Sequence, residues 1–528
     1  MESSPPWLRI SQRMICVIAL IAFFSQVTVN AESSESNPEE LNVKWSDFPS
    51  DFVFGVSTAA TQIEGSAKEG GRGPSVWDKF VEISGRIMDK SNMFTSIDSY
   101  KRYKEDVKLV KDLGVNSYRF SISWTRILPN GTLSGGVNQE GIDHYNSLID
   151  ELIKNGITPY VTLLHFDPPQ ALTDKYGGFL NRSFVDDFKD YSELCFKTYG
   201  DRVKNWITIN EPFIIAKMGY DLAVAPPGRC SVQAPENRIG CTAGNSSTEP
   251  YIVSHNLLLS HATVVKLYRD NFQAKQGGEI GWSLVGQYVE PYSDTPEDKA
   301  AAKRILDFEL GWFMEPIVYG DYPKSMIDLV KERLPRFTEE EKKLVKGSFD
   351  FIGINYYTTR YGKNVPASPA EPICYHNDAL AKSETENANG VSIGPHADGS
   401  IYIFSYPQGL EKLLEFMKQN YQSPKIYISE NGITEAKDDK QGLDEALKDP
   451  HRIQCILRHL YWIKMAIKNG VNVKGYFHWA LFDDFEWGEG YLPRFGLYYV
   501  DYKDNLKRIP KESATWLPKF LKGEDAKA

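Results

Sequence analysis

The sequence predicts an α/β protein, a single (β/α)8 TIM barrel with long loops at its C-terminal face. Three observations carry that prediction. Short β-rich runs alternate with amphipathic helical patterns along the whole chain; eight such runs can be counted; and no Gly-x-Gly-x-x-Gly turn follows the first, as an open dinucleotide-binding sheet would require. Division of the 528 residues by about 150 suggests three or four domains, but the unbroken alternation favours one barrel over residues 45–521. A signal segment (1–31) and polar linker (32–44) precede it, and a tail (522–528) follows. No repeat of 20–50 residues points to a solenoid or propeller.

The elements follow in order. Phe52–Val56 is the first strand, and Tyr100, Tyr103, Val107 and Val110 recur at helical spacing before Gly114. Ser117–Ile122 is the second strand, with Ile142, Tyr145, Ile149 and Ile153 on the next helix, which stops at Gly156. Thr158–Leu164 is the third. Phe184, Phe188, Tyr191 and Cys195 mark a helix capped by Gly200. Further strands are read at Asn205–Ile209, Glu279–Leu284, Phe349–Ile354, Lys425–Ser429 and Val473–Trp479, with helices such as Ser254–Phe272 and Leu457–Lys468 between several of them. Residues 363–400 lack periodicity and read as a long loop after the sixth strand, of the kind that is usually functional or mobile.

Composition removes several function classes. With 60 Lys+Arg against 70 Asp+Glu, the formal charge is −10, unfavourable for nucleic acid or anionic membranes. Eleven Trp, 29 Tyr and 27 Phe make 13% of the chain, ample surface for a packed core. No metal is implied: His255 and His261 do not share a helical face, and no His-Glu-x-x-His occurs. Gly70-Gly-Arg-Gly-Pro74 lacks the Lys-Ser/Thr of a phosphate loop.

Arg9 and Arg13 precede an apolar run from Met14 to Val29, with Val29-Asn30-Ala31 as a small-residue cleavage site. This is the pattern of a secretory signal; as an anchor the run is short of the roughly 18–20 residues that span a bilayer. No later segment is apolar enough to cross a membrane. In an oxidising compartment Cys230 and Cys241 are the natural disulfide pair, two free thiols being the alternative. Asn130, Asn181 and Asn245 head glycosylation sequons. No Lys-Asp-Glu-Leu tetrapeptide closes the chain, so vacuole or extracellular space is expected.

Chemistry in such a barrel sits at the C-terminal strand ends. Glu211 follows Trp206-Ile-Thr-Ile-Asn210 and precedes Pro212, which cannot continue a central strand. Glu430 follows Ile426-Tyr-Ile-Ser429 and precedes the turn signal Asn431-Gly432. Either alone reads as a loop salt-bridge partner. The fourth and seventh strands thus each deliver a carboxylate, and acetal hydrolysis needs such a pair: one to protonate the departing oxygen, the other to attack or screen the oxocarbenium-like sugar.

Thr208-Ile-Asn-Glu-Pro212, Ile428-Ser-Glu-Asn-Gly432, Asp484-Phe-Glu-Trp487 and Gly490-Tyr-Leu-Pro-Arg-Phe-Gly496 resemble glycoside hydrolase family 1, especially its plant β-glucosidases. So do Phe48-Pro-Ser-Asp-Phe-Val-Phe-Gly55 and Gln62-Ile-Glu-Gly65; the resemblance runs in family order from about Trp45 to Leu521. It implies retaining hydrolysis of a small-molecule β-glucoside without a cofactor, with Glu211 as acid/base and Glu430 as nucleophile. Arg119 and Tyr357 match the groups the family sets beside the nucleophile. A guanidinium there lowers a carboxyl pKa by roughly 1–3 units, so Glu430 is expected ionised. Glu211 is expected protonated, through burial and its charged neighbour. Thioglucosidases of the family carry Gln at the Glu211 position, so Glu favours an O-glycoside.

The resemblance further implies a sugar pocket of Gln62, His165, Asn210, Tyr357, Trp479, Glu486 and Trp487, polar groups for hydroxyls and indoles for the C–H face. Departures cluster toward the leaving group: Phe166 and Gln408 stand where many relatives have Trp, and Gly488 where an aromatic is common. With Ile214, Met218 and Phe495 these define an aglycone region expected to be roomy, less aromatic and partly polar. Two rival readings share the scaffold, a transglucosidase using the same intermediate and a non-catalytic glycan-binding protein. Loss of either Glu would mark the second, and neither is lost. Oligomeric state and natural aglycone are not legible.

Overall fold

The computed structural model describes residues 38–231 and 241–524. The signal segment, the first part of the linker (32–37) and residues 525–528 lie outside them. Pro38–Leu41 is a short 3-10 turn, and Val43 is buried in the core, so the folded domain begins ahead of the Trp45 boundary read from the sequence.

Eight strands close into a barrel in chain order: β1 (Val53–Ser57), β2 (Ser117–Ser121), β3 (Thr158–Leu164), β4 (Asn205–Asn210), β5 (Glu279–Val285), β6 (Phe351–Asn355), β7 (Ile426–Asn431) and β8 (Val473–Trp479). Every neighbouring pair is parallel, including β8 with β1. Helices cover the outside, so β2 is buried at all five positions; this two-sided burial is why the strands read as apolar runs instead of strict alternation.

The barrel interior is layered. Tyr160, Ile207, Phe351, Tyr427 and Phe477 form an apolar plug. Above it the backbones close in on small hydroxyls: a Cβ on Gly353 would lie 2.6 Å from both Ser283 Oγ and Ser429 Oγ. Only glycine leaves room for that polar layer, on which the charged groups of the rim are built.

Most helices match their sequence pattern, with local differences. In Gln139–Lys154 the residues Ile142, Tyr145 and Ile149 are buried, but Leu152 completes the face. Ile153, expected there, is exposed, because one residue turns the helix by about 100°. Gly200 is the C-cap of Ser183–Tyr199 but keeps a right-handed φ of −72°. Glycine is needed there for packing, since a Cβ would sit 2.1 Å from Gln276 Oε1 while Gln276 Nε2 caps the Phe196 carbonyl.

Residues 363–400 are largely irregular, as expected, but contain the short helix Tyr375–Asp378 and the strand Ala381–Glu384. Thr359–Asn364 pairs antiparallel with Ala381–Glu384 and parallel with Tyr288–Pro291 in a small sheet beside the barrel mouth. These strands are short and half-exposed, and the pairing with Tyr288–Pro291 joins residues 71 positions apart, so they leave little local periodicity.

Cys230 and Cys241 are disulfide-bonded. Their separation of 11 residues makes the bond worth about 2–3 kcal/mol by loop-closure entropy. The double variant Cys230→Ser/Cys241→Ser is expected to melt at lower temperature in calorimetry, with unchanged far-UV dichroism. Asn130 and Asn245 are exposed and Asn181 is half-buried. Among the described residues no helix is long and apolar enough to cross a membrane, and no His/Cys/Asp/Glu group could hold a metal ion; His261 instead bonds Thr208 and His255 bonds Tyr322.

Candidate active site

The β4 ladder ends at Asn210, and Pro212 opens the helix Pro212–Tyr220 as its first residue, a position its fixed φ suits. Glu211 makes the turn between them at φ 43°, its N–H donating to the Ser283 carbonyl at 2.8 Å. The strand-to-helix corner thus sets its carboxylate on the rim. Phe166 and Trp487 also adopt left-handed φ values of 69° and 48°. Such conformations cost about 1–3 kcal/mol each and persist where surrounding packing over-determines them.

Glu430 is the penultimate residue of β7 and is buried. Arg119, from the inner face of β2, donates through Nη1 to Glu430 Oε1 at 2.5 Å, and Tyr357 Oη donates to Oε2 at 2.8 Å. The second Arg119 amino group donates to Asn210 Oδ1 at 2.7 Å. Asn355, at the end of β6, gives one N–H to Asn210 Oδ1 (3.0 Å) and one to Glu211 Oε1 (2.8 Å), and accepts from Ser429 Oγ at 2.6 Å. This amide couples the two carboxylates.

Burial, and then the Glu430 charge, push the Glu211 carboxyl up. Glu430 is also raised, burial being the main cause, with Arg119 and Tyr357 opposing it. The guanidinium therefore does not hold Glu430 below the ordinary range, as the sequence reading expected, because removal from water outweighs it. The order of the pair survives: with an ion pair and a phenol hydrogen bond against one amide, Glu430 ionises first and Glu211 keeps the proton. Asn355 stabilises the ionised form of Glu211, so its removal raises that pKa further. The variant Asn355→Ala is expected to shift the alkaline limb of kcat/KM to higher pH and to lower kcat/KM about tenfold for the lost hydrogen bond. A downward shift would contradict the assignment.

A second set of polar groups faces the same space. Gln62 Nε2 donates to the Phe485 carbonyl (2.8 Å), Glu486 Oε2 (3.0 Å) and Asp484 Oδ1 (3.3 Å), while its buried Oε1 has no partner among the described residues. His165 Nε2 lies 3.1 Å from Asn210 Nδ2. Burial lowers the His165 pKa well below its usual value, so the neutral ring accepts from the amide and carries its proton on Nδ1, which is unpartnered. The ring stacks between Trp479 and Trp487, centroids 5.8 Å from each. A buried acceptor, a buried donor, the Glu486 carboxyl and aromatic faces suit a polyhydroxylated ring.

The rim opens into a cavity of about 600 Å³. Glu211, Glu430, Asn210, His165, Tyr357, Trp479, Glu486 and Trp487 line its inner part; Phe166, Ile214, Met218 and Gly488 line the outer. A Cβ at Gly488 would meet only the Val224 and Arg86 carbonyl oxygens, at 3.7 and 3.9 Å, so a side chain could begin there without a clash. Gln62 and Arg119 stand behind this lining.

Two residues expected at the leaving group are elsewhere. Gln408 does not line the cavity: Pro407 starts the helix Gln408–Asn420 and carries Gln408 toward Tyr406, whose hydroxyl lies 3.5 Å from its Oε1. Phe495 is buried behind the site, edge-on to Tyr357 at 5.9 Å. Nor is the outer cavity poor in aromatics, since Trp77, Phe179, Phe213, Tyr220 and Tyr402 line it from other segments. Trp77 packs 4.8 Å from Trp487. Sequence reasoning missed Trp77, Tyr402 and Asn355. Only Asn355 carried a local signal, its place at the end of an apolar strand, the same criterion that selected the two glutamates.

A closed barrel with a hydrogen-bonded carboxylate pair at two strand ends, beside buried donors and acceptors and paired indoles, defines a glycoside hydrolase. The chain belongs to glycosyl hydrolase family 1, whose family model matches residues 44–526. It is 52% identical over 494 residues to Beta-glucosidase 24 of Oryza sativa subsp. japonica, covering 93% of this chain and 97% of that one. To the furostanol glycoside 26-O-beta-glucosidase of Hellenia speciosa it is 52% identical over 499 residues, covering 94% and 87%. A solved rice β-glucosidase mutant in a covalent complex with Glc superposes with TM-score 0.88 at 46% identity, covering 90% of this chain and 99% of that one. The enzyme class is β-glucosidase.

Proposed function

We propose that this family 1 β-glucosidase cleaves O-linked glucosides of plant metabolites with retention of anomeric configuration. The observation that carries the reading is the unequal support of the two carboxylates. Glu430, held by Arg119 and Tyr357, is the anionic nucleophile that bonds to the anomeric carbon. Glu211, desolvated and held by one amide, gives its proton to the glycosidic oxygen as the C–O bond breaks. Esterification removes the Glu430 charge, the Glu211 pKa falls, and Glu211 then takes a proton from the water that cleaves the ester. Asn210 suits the sugar 2-hydroxyl: Arg119 and Asn355 occupy its Oδ1 and His165 takes one N–H, which leaves the second N–H to donate.

Retention is supported by the covalent sugar complex of the rice relative, and a plant metabolite by the furostanol glycoside named for the Hellenia relative. Entry into the secretory pathway, with delivery to vacuole or extracellular space, is part of the same proposal; it rests on the N-terminal apolar run and the sequons. Proton NMR of the sugar first released from an aryl β-glucoside tests the reaction. β-Glucose ahead of mutarotation is expected, and α-glucose would refute retention.

A further inference from the structure

Lys217 and Glu309 form a charged pair that the reaction above does not use, and both line the outer cavity. Lys217 lies on the helix Pro212–Tyr220, six residues beyond Glu211, or about 9 Å along the axis at 1.5 Å per residue. Glu309 arrives on a different element. It belongs to the π-helical segment Asp307–Gly311, which joins the helices Pro296–Leu306 and Trp312–Tyr319. A π turn interrupts the regular α-helical hydrogen-bond ladder and recurs at functional sites.

Glu309 is buried and Lys217 half-buried, and both are under-bonded. The Glu309 side chain is 10% exposed and that of Lys217 27%. Lys217 Nζ lies 3.6 Å from Glu309 Oε1, beyond a good hydrogen bond, and otherwise faces the Phe213 ring at 5.0 Å. Glu309 Oε2 accepts from Gln287 Nε2 at 3.2 Å. Arg360, also at the cavity wall, is committed to Thr358 Oγ1 and to the carbonyls of Thr359 and Tyr402. An ammonium with three N–H groups and a carboxylate with about four lone-pair sites therefore keep most of their capacity unspent. Burial raises the Glu309 pKa against the opposing pull of Lys217 and Arg360.

The chemistry of the pair selects its ligand. An anionic group would meet the Glu309 carboxylate, a cationic one the Lys217 ammonium, and an apolar one would leave both unsatisfied. A neutral hydroxyl can accept from Lys217 and donate to Glu309, and adjacent hydroxyls can do both at once. We propose that Lys217 and Glu309 form a polar subsite for neighbouring hydroxyls of the leaving group, so that glucosides whose leaving group is itself a sugar or polyol are favoured substrates. This rests on the glucosidase reading and extends it to the far end of the substrate.

The test is the ratio of kcat/KM for cellobiose, whose leaving group is a sugar, to that for 4-nitrophenyl β-D-glucoside. In Lys217→Met and in Glu309→Gln the ratio is expected to fall about tenfold or more, the loss of one hydrogen bond to a charged group. The double variant should fall by less than the product of the two, because the groups act together. A change under threefold in both single variants would overturn the subsite. Glu309→Gln preserves volume and carries the test if Lys217→Met does not fold. Should the unsubstituted protein turn over neither glucoside, the reaction reading fails and calorimetry of cellobiose binding decides the subsite separately. Weaker binding in the variants supports it; equal or absent binding overturns it.

Discussion

Replacing Glu430 by Gln is expected to lower kcat on every β-glucoside by roughly 10⁴-fold or more, because the covalent route is removed and no other group can take its place. Gln is nearly isosteric, so the loss reports chemistry more than shape. Two further consequences follow from the contacts of Glu430. Arg119 is left buried without its anion, and breaking such a pair costs about 3–5 kcal/mol, so the variant should melt at lower temperature. The negative neighbour of Glu211 also disappears, so the Glu211 carboxyl should titrate at lower pH, a fall readable by difference infrared spectroscopy. Activity near the unsubstituted level would refute Glu430 as nucleophile; an unchanged Glu211 titration would refute the coupling of the two carboxylates.

Glu211→Ala is expected to separate the two half-reactions. With leaving groups that must be protonated, kcat/KM should fall by about 10²–10⁴, the usual worth of general acid catalysis. With 2,4-dinitrophenyl β-D-glucoside the phenolate departs unprotonated, so glucosylation of Glu430 proceeds and hydrolysis, lacking its base, becomes the slow step. The glucosylated protein should accumulate after a burst of dinitrophenolate and be visible by intact mass spectrometry. Azide, a nucleophile that needs no deprotonation, should restore turnover and yield the β-glucosyl azide. An equal loss on both substrates, without burst or rescue, would place the acid/base role elsewhere.

How much of this could be read from the chain depends on how local each feature is. The eight strands were legible because two-sided burial makes each a short apolar run, and Glu211 and Glu430 because each run ends in an acid followed by a turn signal. The small sheet that includes residues 359–384 was not, since its strands are short and half-exposed and its third strand, Tyr288–Pro291, comes from far back in the chain. Gln408 was misplaced because a substitution pattern says which residue differs and not where the helix it begins will carry it. The same limit hid Trp77 and Tyr402, which supply the rings expected to be missing from the outer cavity. Lys217 and Glu309 carried no signal at all: one is a single cation on an apolar helix, the other one of several acids in a helical run.

By itself the sequence determined the order of strands and helices, the barrel they imply and the two carboxylates at its rim, since each follows from a pattern within about twenty residues. The family resemblance implied Arg119 and Tyr357 beside Glu430, but the tertiary structure alone decided how those groups hold it and that Asn355 meets Glu211. Arg119 and Glu430 stand 311 positions apart and Asn355 and Glu211 144 apart; they touch only because the barrel closes. Proton affinity depends on desolvation and on distances of a few ångströms, quantities that arise when remote strands are brought together. This is why the pairing of acid and nucleophile was legible early, while the upward shift of Glu430 and the polar pair at the far end of the cavity emerged only from the folded chain.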